Sequence, residues 1–183
     1  MTGSRMTAPA EARARALLAG HQVTSVPVPV EDIAAAEAQV QQVVRHRHKG
    51  PEYGFTLRDG KRFIIGINSN TSAGRQRCAI AHCLAHVLLH PRDLIVCYAA
   101  RLGSRDFPSA ASDREEAEAN LFSAELLMPA GPFTRAVDEF AKTRPEGETP
   151  APRDELVNEM AKKFGVAPES VTYRLIALGL LAT

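Results

Sequence analysis

His82-Cys83-Leu84-Ala85-His86 sits inside a proline-free run from Ala73 to Leu89, with turn and cap residues before it (Asn68 to Ser72) and Pro91 behind it. Those boundaries predict a helix over 73–89. On a helix, residues i and i+4 stand one above the other, so both histidines can present an imidazole to one metal ion. At about 100° per residue, Ile80, Leu84 and Val87 fall on the opposite side and can anchor the helix in a core. A His-x-x-x-His pair alone is more often packing or solvent chemistry than a metal site, so its surroundings decide.

The deciding stretch comes after His86. Glu116-Ala117-Glu118-Ala119-Asn120-Leu121-Phe122-Ser123-Ala124-Glu125-Leu126-Leu127-Met128-Pro129 starts acidic and turns apolar. Glu116 and Asn120 are again i and i+4. A carboxylate as third ligand, with an amide behind the ligands, would complete a His₂Glu zinc site of catalytic type. Glu115 and Glu118 read better as first-turn acids favoured by the helix dipole, and His90 as a C-terminal cap.

Outward from these two segments the chain reads as α+β. Helical patterns cover 11–19 and 31–38. Strand patterns follow at 40–47, 53–57 and 62–67, the last two joined across Asp59-Gly60, a hairpin signal. We expect a small antiparallel sheet, with 93–102 as a further strand candidate. Asp113 is the expected cap of a helix running to Met128, and 131–141 is a further helix. The expected organisation is a disordered tail at 1–10, a domain at 11–143, a proline-rich linker at 144–152 and a helical segment at 153–183. In the last, helices at 153–164 and 168–178 joined at Gly165 have a helix-turn-helix outline.

Composition narrows the function classes. With 22 Lys+Arg against 21 Asp+Glu in 183 residues, the net charge of +1 argues against an electrostatically driven nucleic-acid binder. No apolar run approaches the roughly 18 residues of a membrane helix. Three cysteines, Cys78, Cys83 and Cys97, have no disulfide-framework spacing. We expect a cytoplasmic protein with reduced thiols and no membrane association.

The pieces Ile67-Asn68-Ser69-Asn70, Arg75-Gln76-Arg77, Ile80 to His90 and Glu116 to Pro129 occur in that order. Together they resemble the ImmA/IrrE family of bacterial and phage metallopeptidases, whose pattern runs RQRFTIAHELGHxLLH and then ExxAN.FAxxLLMP. The resemblance spans about 26–180. It implies a gluzincin-like minimal metallopeptidase core that binds Zn²⁺ through His82, His86 and Glu116, with Asn120 behind them. It also implies a partner: family members cleave or otherwise relieve helix-turn-helix repressors of phage, mobile-element or stress-response genes.

One departure matters more than the match. The family's general-base glutamate follows the first histidine, and this chain has Cys83 there. A thiol is shorter than a carboxylate side chain, and with a reference pKa of about 8.5 it is a poor base at neutral pH. Cys83 has three readings: an inert small hydrophobe, a thiolate at or near the metal, or a redox-sensitive thiol. We expect a pseudo-peptidase that binds a repressor without cutting it, and expect Cys83→Glu to create cleavage. The alternative is a slow zinc metallopeptidase. The 153–178 hairpin offers Ser170, Thr172, Tyr173 and Arg174 with few basic groups, so packing or repressor docking is favoured over direct DNA binding.

Overall fold

The computed structural model describes residues 9–98, 111–143 and 152–181. Helix α1 (Pro9–Gly20) is followed by α2 (Val30–Ala36), strands β1 (Val40–His46), β2 (Glu52–Asp59) and β3 (Arg62–Asn68), and helix α3 (Ala73–Leu89). Strand β4 (Leu94–Tyr98) and helices α4 (Asp113–Leu127), α5 (Ala130–Lys142), α6 (Arg153–Phe164) and α7 (Pro168–Ala177) complete the described chain. The α+β class is as expected. The helix starting at Pro9 takes the last two residues assigned to the tail, while 1–8 and most of the linker, 144–151, lie outside the described residues.

The sheet corrects one expectation. Its order is β1-β3-β2-β4, and β1 runs parallel to β3, so the sheet is mixed rather than antiparallel. The hairpin forms as read: Asp59 pairs with Arg62, and Gly60 takes φ +61°, which a tight turn allows glycine at little cost. But β3 (Phe63, Ile65, Gly66, Ile67 and Asn68 all buried) is too apolar for an edge, and it inserts between β1 and β2. The crossing segment that this requires is held by buried Asn68. Its Oδ1 accepts from the backbone N–H groups of His48 and Asn70, and its Nδ2 donates to the carbonyl of Glu52. Strand β1 is an edge, with Arg45 and Arg47 exposed, as its basic alternation suggested.

Helix α3 crosses the sheet and is buried from Ala79 to Val87. Its cap is Ser72, whose side chain accepts from the Arg75 N–H. Helix α4 packs along it and is capped by Ser112 in a reciprocal box with Glu115, one residue before the expected Asp113. The first turns of α3 seat the α6–α7 hairpin. A Cβ on Gly74 would lie 2.7 Å from the Val166 carbonyl carbon, so only glycine permits this approach. Arg77 closes the seam, donating from Nε to the Gly165 carbonyl and from Nη2 to the Val28 carbonyl.

Arg174 is fully buried instead of available to a nucleic acid. Its guanidinium pairs with buried Glu125, donates from Nε to the Met128 carbonyl at 2.9 Å, and reaches Glu11 at 3.5 Å.

Candidate metal centre

Helix periodicity and burial bring the expected ligands together. His82 and His86 lie on the buried stretch of α3 with their Nε2 atoms 3.0 Å apart. Glu116, on the first turn of α4, places carboxylate oxygens 3.2 Å from His82 Nε2 and 3.6 Å from His86 Nε2. Zinc–nitrogen bonds of about 2.0–2.1 Å in a tetrahedron put neighbouring donor atoms about 3.3 Å apart. The three separations bracket that value.

Asn120 does what a residue behind a ligand should do. Its Oδ1 accepts from His82 Nδ1–H at 3.1 Å, which fixes the tautomer and leaves the Nε2 lone pair for a metal. The donor set therefore fits a divalent cation of the zinc type: two imidazoles and a carboxylate, meeting in a largely buried place.

Burial alone would lower the His82 imidazolium, but the hydrogen bonds and charges of Cys97 and Glu116 outweigh it and hold it up to about 10. At His86 burial dominates, and the value is lowered. A proton and a divalent cation compete for the same lone pairs, so metal uptake here releases a proton.

Cys83 is completely buried on α3, and its Sγ lies 3.6 Å from Cys97 Sγ on β4. Strand β4 alternates, with Ile95 and Cys97 turned inward, and its pairing sets Cys97 opposite Gly54 of β2. A Cβ on Gly54 would sit 3.1 Å from Cys83 Sγ, so the thiol fills the space between α3 and the sheet. The ligand atoms of His82, His86 and Cys97 all lie within 4.8 Å of one another. The Cys97 thiol is pushed well above its usual range, first by the neighbouring Cys83 and then by burial. Sequence reading missed Cys97, although period-2 burial in Leu94–Tyr98 was the signal that could have found it. It also passed over Tyr53, whose ring meets His82 edge-on at 5.7 Å. Burial and the charges of Cys97, Cys83 and Glu116 keep that phenol protonated well above its ordinary value.

The other nearby acids are engaged elsewhere. Glu115 takes Arg92 and the Ser112 N–H, and the Arg92 hydrogen bonds chiefly lower it to about 2. Glu118 pairs with Arg114 and accepts from His90 Nε2 at 2.8 Å, so His90 is turned away from the centre. A cleft of about 270 Å³ opens beside His82 and Asn120 and runs to Ser170 and Tyr173 of α7.

With this geometry in view, comparison is informative. The IrrE N-terminal-like domain, a peptidase family, matches residues 35–176. The chain belongs to that family. Its IrrE-like fold is also similar to a solved Mycobacterium tuberculosis transcriptional regulator, at 14% identity and a TM-score of 0.57. That likeness covers 91% of this chain but 46% of the regulator, so the chain spans about half the regulator's length. No curated protein matches the chain. His82, Cys83, His86, Glu116 and Asn120 all lie within the matched residues. No described helix is long and apolar enough to cross a membrane.

Proposed function

We propose that this IrrE-like chain is a zinc-binding regulator that binds a helix-turn-helix transcriptional repressor without cutting it. The observation that carries this reading is Cys83, a buried thiol packed against Cys97 where the family has its base. A bound zinc ion would polarise a peptide carbonyl as a Lewis acid. Hydrolysis also needs a group to take the proton from water, a contribution typically worth about 10²–10⁴-fold. Among the described residues around the centre, Glu116 faces the histidines as a ligand, and Glu115 and Glu118 are held by Arg92, Arg114 and His90. Tyr53 stays protonated and can donate a hydrogen bond, but it is no base at neutral pH.

The cleft between α3, α4 and α7 supports a binding role. It has an apolar floor at Ala79, Ala124 and Leu127, with Arg75 and Glu169 on its rim. Burial of Arg174 removes one of the hairpin's few cations from any phosphate contact, which supports protein docking over DNA reading.

The test is to incubate the zinc-loaded chain with a small repressor encoded beside it, with and without chelator. Gel filtration should show a complex, and denaturing gels should show intact repressor. Chelator-sensitive cleavage by the wild type would overturn the reading in favour of a slow peptidase. The structure also sharpens the gain-of-function arm: a glutamate at 83 would meet the Cys97 sulfur. Cys83→Glu together with Cys97→Ala, which clears that sulfur, is therefore the variant expected to cut.

A further inference from the structure

We propose that Cys97 is a fourth protein ligand, so that the metal of this chain sits in a closed shell of His82, His86, Glu116 and Cys97. This rests on the metal reading above and goes beyond it, because it concerns what occupies the fourth coordination position.

Three observations converge on Cys97. Its Sγ belongs to the buried cluster with the two imidazoles, within 4.8 Å, and Cys83 lies outside that cluster. A tetrahedral site with a zinc–sulfur bond of about 2.3 Å needs a sulfur-to-nitrogen separation of about 3.5 Å, so a shift of roughly an ångström brings the sulfur to both imidazoles. Glu116, outside that cluster, joins through its 3.2 Å and 3.6 Å approaches to the same two nitrogens. Second, the backbone aims the thiol: β4 pairs with β2 on both sides of the Gly54–Cys97 contact, and the inward turn of Ile95 and Cys97 leaves this side chain facing α3. Third, Cys97 has its own supporting donor. The Cys83 thiol donates to Cys97 Sγ at 3.6 Å, the kind of outer contact that orients a metal ligand and tempers its charge.

On binding, the Cys97 S–H bond breaks, the sulfur–metal bond forms, and the proton leaves to solvent. No electrons change hands. Catalytic zinc sites keep one of four positions open, whereas structural sites close it with protein atoms. Replacement of the family glutamate by Cys83 and closure by Cys97 are then one change: the residue that would have taken a proton has become the donor that steadies the fourth ligand. A thiolate in the shell also biases the site toward zinc and cobalt and away from magnesium, calcium and manganese.

The experiment loads the full chain with Co²⁺ and records its absorption. The wild type should show the visible bands of four-coordinate cobalt together with a near-ultraviolet sulfur-to-cobalt charge-transfer band. Cys97→Ser should lose the charge-transfer band, and Cys83→Ser should keep it. Visible bands without charge transfer in the wild type would overturn the proposal and leave the metal reading standing, whereas no cobalt uptake would overturn both. A charge-transfer band that survives Cys97→Ser and disappears in Cys83→Ser would assign the sulfur to Cys83 and overturn it too. Should Cys97→Ser fail to fold, X-ray absorption of the zinc-loaded Cys83→Ser variant decides. A sulfur scatterer at about 2.3 Å is expected, and a shell of only nitrogen and oxygen at about 2.0–2.1 Å contradicts the proposal.

Discussion

Helix α4 carries a buried polar constellation on each of two faces, and the two are completed in different ways. Glu125 comes nine residues after Glu116 and therefore points about half a turn away from it. On the Glu125 face the chain brings its own cation, the Arg174 guanidinium, with further acceptors from Met128 and Glu11. On the Glu116 face it gathers electron-pair donors: two imidazole nitrogens, a carboxylate and a thiol. The first arrangement needs no ion from outside the chain. On the zinc reading proposed above, the second is completed by an exchangeable ion, so its strength should follow the concentration of that ion.

The largest expected effect breaks the constitutive half. Arg174→Met leaves Glu125 buried with the partly exposed Arg15 as its remaining partner at 3.3 Å, and should cost about 3–5 kcal/mol in urea denaturation. Arg174→Met combined with Glu125→Leu should recover most of that loss. If the double variant is as unstable as the single, packing rather than an uncompensated charge is responsible.

The conditional half should answer to zinc. At a free concentration a hundred times the dissociation constant, the wild type should gain about 2.7 kcal/mol, and His86→Ala should gain nothing. The Arg174→Met/Glu125→Leu variant should show the same zinc increment as the wild type, because sites that share no partners add independently. Loss of that increment in thermal melts would mean the two faces are coupled through α4.

The smallest effect concerns Asn120. Asn120→Ala should weaken metal binding about 10–100-fold by freeing the His82 ring, measurable by chelator competition. Unchanged affinity would remove Asn120 from the site.

The legible parts of the molecule were those governed by local rules. The hairpin at Asp59-Gly60, the limits of α3 and the i, i+4 pairs His82/His86 and Glu116/Asn120 follow from short-range geometry, and each appears in the structure. What sequence order hid was lateral arrangement. The parallel place of β1 depends on which strand can bear burial on both faces, and Cys97 reaches the site only because β4 lies next to β2. The burial of Arg174 was hidden for a similar reason: its partner Glu125 lies far away in the chain.

The strand order β1-β3-β2-β4 also has a kinetic side. Pairing of β2 with β3 closes the shortest loop, from Asp59 to Arg62, whereas β4 meets β2 through distant partners such as Glu52 and Tyr98. Loop-closure entropy rises with length, so β4 should dock late, after the barrier to folding has been crossed. Late elements govern the rate of unfolding rather than that of folding. Because β4 carries Cys97, zinc should act as a brake on unfolding: stopped-flow traces should show a longer-lived native state with metal and an unchanged refolding rate. On the binding role proposed above, what the ion then sets is a lifetime.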